Sequence, residues 1–274
     1  MADSEGSARC LLLVGCGKMG TAMLRGWRAA GVAERFLVVE PAGTPPGIGP
    51  AAEIDWYRAS EQVPADLTPD AVVLAVKPQV VDVVLPAYRR WARPETVFMS
   101  IVAGKTLAGL AGSLGRAAIV RTMPNTPAAI GRGITVACAN SLVTSKQRQL
   151  CGCLLAAIGE SAWVEDESLM DAVTAVSGSG PAYVFLLIEA LARAGEAEGL
   201  PSDLALRLAR STVAGSGELA RITGEDPGQL RENVTSPGGT TRAALDVLMS
   251  TDGLEPLMQR AVAAATKRSR ELAS

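Results

Sequence analysis

An apolar run that stops abruptly on glycine constrains this chain most. Leu12-Leu13-Val14 leads straight into Gly15-Cys16-Gly17-Lys18-Met19-Gly20, and a helical pattern follows. In a G-x-G-x-x-G turn between strand and helix each glycine has a mechanical task. Gly15 makes the tight turn, Gly17 lets a pyrophosphate approach the backbone, and Gly20 lets helix and strand pack closely. Lys18 and Met19 fill the variable positions and supply backbone N–H groups, while the helix N-terminus faces the phosphates. A strand–turn–helix of this kind is half of a βαβ unit, so the expectation is a parallel sheet that binds a dinucleotide.

The first half of the chain keeps that alternation. Strands are predicted at residues 10–14, 36–39, 71–76, 97–101, 119–122 and 135–137, with helices at 19–30 and 146–157. Val72-Val73-Leu74-Ala75-Val76 carries no polar alternation, as expected of a sheet covered on both faces. Residues 41–50 are rich in Pro and Gly, so the helix usual after a second strand is expected to be shortened or displaced. Beyond about Glu165 strand signals stop. Helices are predicted at 169–175, 182–198, 202–222, 227–234, 240–250 and 256–272, with start signals at Asp226-Pro227 and Pro201-Ser202. The expected fold is therefore α/β. A Rossmann-type dinucleotide-binding domain over 1–164 precedes an all-α domain over 165–274. Gly195, Gly199, Gly215 and Gly217 lie in or beside long helices, where close helix–helix approach would explain them.

Composition narrows the function classes. The chain has 274 residues, 48% hydrophobic and 20% charged, with net charge −2 and 4% aromatic residues. Such a balance favours neither nucleic acid nor an anionic membrane. No stretch is expected to reach the roughly 18–20 apolar residues of a membrane helix; the run over 181–194 is interrupted by Glu189 and Arg193. Residues 1–9 lack the basic start and apolar middle of a signal peptide, so a frayed tail and a cytoplasmic protein are expected. Cys10, Cys16, Cys138, Cys151 and Cys153 form no disulfide pattern, and no metal set accompanies Cys151-Gly152-Cys153. The chain contains no histidine, which removes every mechanism that uses one as a base.

Several positions are candidates for the chemistry. Glu40 ends the second strand about 20 residues past the fingerprint, where an acid bonds the adenosine ribose 2′-hydroxyl. No Arg follows in Pro41-Ala42-Gly43-Thr44, so NADH is expected to serve at least as well as NADPH; a solvated strand-end charge is the plain alternative. Val76-Lys77-Pro78 closes a strand at the carboxyl edge, and Ala103 would line the same crevice. Asn125, held between Pro124 and Pro127, is placed to orient the nicotinamide ribose or carboxamide, or else to satisfy its own turn. Far downstream, Asn233-Val234-Thr235-Ser236-Pro237-Gly238-Gly239-Thr240-Thr241 sits between two helices. Its glycines and the helix start at Thr240 suit a small carboxylate, although an ordinary helix–helix turn uses the same residues.

The fingerprint, Val76-Lys77-Pro78, Ser177-Gly178-Ser179-Gly180-Pro181-Ala182-Tyr183 and the Ser-Pro-Gly-Gly-Thr-Thr loop, in this order and spacing, resemble pyrroline-5-carboxylate reductase over nearly the whole chain. The resemblance implies reduction of a cyclic imine carboxylate, (S)-1-pyrroline-5-carboxylate, to L-proline with NADPH or NADH. It implies that the backbone of Val76, Lys77 and Pro78 lies along the cofactor, with Asn233 and Glu167 also on the cofactor side. Ser236, Gly238, Gly239 and Thr240 would hold the carboxylate, and Thr241 would hydrogen-bond the ring nitrogen as the catalytic group. A capping role for Thr240 and Thr241 is the structural alternative. The apolar helical faces suggest a homodimer, as the resemblance also implies, and relatives extend this to rings of dimers. Three other readings compete with this one. A β-hydroxyacid dehydrogenase would use a lysine on the helical domain, and residues 165–266 contain none. A reductase of another cyclic imine and a cofactor sensor are the other two.

Overall fold

The computed structural model describes residues 9–49 and 51–273; the polar start expected to fray lies, up to residue 8, outside them. The chain divides into two compact units, Met1–Gly178 with Thr266–Ser274, and Ser179–Ala265.

The first unit is built on an eight-stranded sheet. Strand β1 (Cys10–Val14) leads into helix α1 (Lys18–Ala30), closed by Gly31 at φ 61°, and then β2 (Arg35–Val39) and β3 (Ile54–Tyr57). Between β2 and β3 no helix forms among the described residues, as the Pro- and Gly-rich composition led us to expect. β4 (Ala71–Leu74), the short α2 (Val81–Val84), β5 (Val97–Ser100), α3 (Leu107–Leu114) and β6 (Ala118–Met123) follow. β7 (Gly133–Ala139), α4 (Ser145–Ala156) and β8 (Gly159–Trp163) complete the sheet. The strand order is β3-β2-β1-β4-β5-β6-β7-β8, parallel throughout except for the antiparallel pair β6–β7. Its first six strands have the order of a doubly wound dinucleotide fold, with the switch point between β1 and β4.

Alternate residues of the central strands feed two separate cores. Leu11, Leu13, Val73 and Met99 face one cluster with Trp27 and Leu154; Leu12, Val14, Val72, Leu74 and Phe98 face another with Tyr88 and Trp91. This is the period-2 geometry of a strand buried on both sides. Buried Trp27 ties α1 to α4 by donating from Nε1 to the Leu154 carbonyl at 2.9 Å. Gly26 makes the same approach possible, because a Cβ there would lie 2.6 Å from the Ala157 oxygen and 2.8 Å from Ile158 Cγ2.

The short α5 (Met170–Val173) runs through a π-helical turn at Thr174–Gly178 into α6 (Gly180–Ala197), which begins in the second unit. That unit continues with α7 (Ser202–Thr223), α8 (Pro227–Asn233) and α9 (Thr240–Leu248), while α10 (Leu254–Ala273) starts in it and ends in the first. Gly195 allows close packing of α6 on the α7 end, with Ala205 Cβ 3.5 Å from where its own Cβ would sit. Gly215 and Gly217 face open space within one chain, and Gly199, at φ 93°, makes the turn after α6; helix approach within the subunit explains only Gly195.

The run Glu167–Ala197 is long and apolar enough by length and composition to cross a membrane, contrary to the sequence expectation. The expectation failed because the π turn joins two helices into one 31-residue run. Only 11% of its most apolar window is buried within the chain, and Val184, Phe185, Leu186, Leu187 and Leu191 are exposed.

Gly26→Ala is expected to lower stability by about 1–3 kcal/mol, the cost of overpacking a tight contact. Urea unfolding should show a lower midpoint at unchanged slope. An unchanged midpoint would mean that α1 and the end of α4 do not meet as closely as described.

Candidate active site

The carboxyl ends of the parallel strands converge on one edge, and the predicted cofactor residues of the first half of the chain are distributed along it. Gly15 leaves β1 at φ 87°, and its N–H donates to the Val39 carbonyl at 2.8 Å. A Cβ on Gly15 would come within 2.8 Å of the Ala75 oxygen beyond β4. A Cβ on Gly20 would meet the Gly15 oxygen at 2.5 Å, whereas Gly17 has nothing within 4 Å. The first and third glycines are thus required by packing, and the second leaves room above the backbone. Gly17 is the N-cap of α1 and offers no side chain to the first-turn N–H groups of Lys18 and Met19. Uncapped N–H groups beneath an open glycine fit a pyrophosphate.

A cleft of about 570 Å³ opens at the switch point. Gly15, Gly17, Glu40, Val76 and Lys77 line it together, with an apolar wall of Val80, Val83 and Val84. Its volume and apolar lining suit an adenosine moiety. Glu40 Oε2 accepts from the Cys16 N–H at 2.7 Å, and Oε1 accepts from the Ala42 N–H at 3.1 Å. The carboxylate therefore braces the glycine-rich turn and still carries lone pairs for a ribose hydroxyl. The Cys16 thiol is buried, and burial pushes its pKa up, so it stays a protonated filler of the turn.

Other predicted positions share the edge without lining this cleft. Pro78 opens a 3-10 turn after Lys77, and Ala103 follows β5. Asn125 follows β6 and has both ends of its amide engaged: Oδ1 accepts from the Ile134 N–H at 3.0 Å, and Nδ2 donates to Ser177 Oγ at 3.3 Å. Glu167 is also committed. Its Oε1 accepts from the Leu107 N–H at 2.7 Å and from Nη1 of the buried Arg121 at 2.8 Å, tying the start of α3 to β6. Sequence reasoning missed Arg58, Ser60 and Tyr88 in the cleft wall. The Ile-Asp-Trp-Tyr alternation that forms β3 was the signal that would have led to Arg58.

The other predicted residues lie in the second unit. Asn233 ends α8, and its Oδ1 accepts from Gln229 Nε2 at 2.9 Å. Gly238 turns the chain at φ 68°, the Gly239 N–H bonds the Ser236 carbonyl at 3.1 Å, and Gly239 is the N-cap of α9. Thr240 and Thr241 are the first two helical residues and neither caps the helix by its side chain, so the capping alternative does not describe them. Among the described residues the hydroxyls of Ser236, Thr240 and Thr241 have no hydrogen-bond partner. The loop is a short backbone cradle with three free hydroxyls around an uncapped helix start.

Comparison with known proteins matches these two regions separately. Residues 167–272 match the family described as "Pyrroline-5-carboxylate reductase dimerisation", and residues 11–104 match "NADP oxidoreductase coenzyme F420-dependent". A pyrroline-5-carboxylate reductase from Pseudomonas aeruginosa is 40% identical over 266 residues, covering 96% of each chain. A pyrroline-5-carboxylate reductase structure from Coxiella burnetii superposes with a TM-score of 0.86 at 32% identity, covering 98% of this chain and 100% of that one. The NADP-bound pyrroline carboxylate reductase of Plasmodium falciparum gives a TM-score of 0.80 at 29% identity, covering 98% and 99%.

Glu167→Ala would strand the buried Arg121 guanidinium and the Leu107 N–H. Loss of one partner of such a pair is expected to destabilise by about 3 kcal/mol. Thermal unfolding of the variant should begin at clearly lower temperature, and an unchanged midpoint would contradict the bracing role.

Proposed function

This chain belongs to the pyrroline-5-carboxylate reductase family, and from that premise we propose that it reduces (S)-1-pyrroline-5-carboxylate to L-proline with NAD(P)H, the last step of proline biosynthesis. The observation that carries the assignment to particular residues is the loop before α9. Free hydroxyls and unpaired N–H groups gather there in a helical region without a lysine. That chemistry suits a small carboxylate and a neutral or cationic imine.

Bound NAD(P)H supplies the hydride. Gly15, Gly17, Lys18, Met19 and Gly20 hold its pyrophosphate, Glu40 its adenosine ribose, and Val76, Lys77 and Pro78 run beside it. Ala103, Asn125, Glu167 and Asn233 complete the proposed cofactor set. The existing hydrogen bonds of Asn125 and Glu167 limit what each has left to offer: one spare carboxylate oxygen on Glu167, and one amide hydrogen on Asn125. Ser236 Oγ and the N–H groups of Gly238 and Thr240 hold the substrate carboxylate, and Gly239, whose own N–H bonds the Ser236 carbonyl, lets it approach the backbone. Thr241 Oγ1 bonds the ring nitrogen and relays or retains its proton. A protonated iminium is already a good hydride acceptor, so orientation and electrostatics supply the catalysis and no histidine is needed.

We read residues 1–164 as the dinucleotide-binding domain and 165–274 as the helical substrate and dimerisation domain. The exposed apolar residues of α6 support a homodimer rather than a membrane span, and a ring of such dimers is the further assembly that the family resemblance suggests. We place the enzyme in the cytoplasm, without nucleic acid or membrane in its work.

Oxidation of NAD(P)H that depends on pyrroline-5-carboxylate and yields proline is the expected result; binding of the cofactor without turnover would favour a sensor. Thr241→Ala should lower kcat roughly a hundredfold, the scale of a lost proton-handling group, with little change in cofactor KM. Wild-type turnover in that variant would remove Thr241 from the mechanism. Glu40 supports use of NADH at least as well as NADPH, and a kcat/KM strongly favouring NADPH would overturn that preference.

A further inference from the structure

We propose that Arg58 gives the cleft its affinity for a 2′-phosphorylated dinucleotide, so that this chain accepts both NADPH and NADH. The proposal rests on the cofactor reading above and names a residue that the loop after β2 does not contain.

Its position follows from strand register. Val39 of β2 pairs with Tyr57 of β3, and the Glu40 N–H donates to the Tyr57 carbonyl at 2.9 Å. Glu40 and Arg58 are therefore the next residues on adjacent parallel strands, about 5 Å apart at the backbone. Both line the same cleft. An arginine beside the strand-end acid is where a ribose 2′-phosphate is accommodated in this fold class.

Arg58 is also available. Around β2, β3 and α1 the other arginines are committed: Arg25 donates to the Gly47 carbonyl at 3.1 Å, Arg28 pairs with Glu53 at 2.9 Å, and Arg35 pairs with Asp55 at 2.8 Å. Among the described residues the guanidinium of exposed Arg58 bonds no carboxylate, and the contact of Arg58 with Gln62 is made through the backbone N–H. The acids of the cleft do not neutralise it. Glu40 is held by two backbone N–H groups, and Glu61 accepts from the Ser60 hydroxyl at 2.8 Å. The guanidinium lies beside the loop after β2, with Arg58 Nη2 3.8 Å from where a Cβ on Gly43 would sit. A planar guanidinium with free N–H groups can bind phosphate in the bidentate manner. Glu40 then keeps the ribose hydroxyls of NADH, and Arg58 offsets its repulsion of the extra phosphate in NADPH.

The test is equilibrium binding measured by calorimetry, with NADPH, NADH, 2′,5′-ADP and 5′-AMP, on wild type, Arg58→Gln and Arg58→Lys. Arg58→Gln should weaken NADPH and 2′,5′-ADP about tenfold or more, while NADH and 5′-AMP change less than about threefold. Arg58→Lys should retain part of the phosphate affinity. In wild type, binding of 2′,5′-ADP should fall more steeply with salt than binding of 5′-AMP. Equal losses for all four ligands, or none, would overturn the assignment and leave the reductase reading intact. Failure of wild type to bind either dinucleotide would sink both.

Discussion

The contact between the β1–α1 turn and the backbone beyond β4 sets the geometry on which the first unit depends. Gly15 and Gly20 have no Cβ because Ala75 and Gly15 itself occupy the space where one would go. That contact brings α1 down onto the switch point of the sheet and leaves its first turn uncapped. The other residues of the cleft inherit their places from the parallel order around it: Glu40 follows β2, Arg58 follows β3 and Lys77 follows β4. Glu40 then reinforces the arrangement, since its carboxylate holds the Cys16 N–H from the next strand over.

The second unit uses the same physics on a smaller scale. Gly238 and Gly239 deliver the chain to α9 without a capping side chain, so N–H groups and the hydroxyls of Ser236, Thr240 and Thr241 stay free. In the function proposed above, a ligand carboxylate takes the part that a cap would otherwise play. This explains how a chain without histidine can run imine chemistry. The substrate brings an activated electrophile, and the protein contributes donors fixed in place before the reaction begins.

Legibility in the sequence followed burial. β1 and β4 were plain because Leu11-Leu12-Leu13-Val14 and Ala71-Val72-Val73-Leu74 are covered on both faces and carry no polar residue. β3 and β8 were missed for the opposite reason. Ile-Asp-Trp-Tyr is half-buried at one edge of the sheet, and Gly-Glu-Ser-Ala-Trp is largely exposed at the other, so neither is a continuous apolar run. Missing β3 concealed Arg58, although the residue stands next to Glu40 in the sheet. The commitments of Asn125 and Glu167 were equally hidden, because their partners Ile134, Ser177, Leu107 and Arg121 are distant in sequence. The Ser236–Thr241 motif was visible as a string, but only the fold shows that neither threonine is used as a cap.

In the proposed reaction two uncapped helix starts, one in each unit, hold the two anionic groups. A crystal structure with NADP⁺ and L-proline tests it most directly. It should place the pyrophosphate over Gly17 at the start of α1 and the proline carboxylate on the N–H groups around Gly239 and Thr240, with Thr241 Oγ1 at the ring nitrogen. Proline bound away from the Ser236–Thr241 loop, or a pyrophosphate not seated on α1, would contradict it.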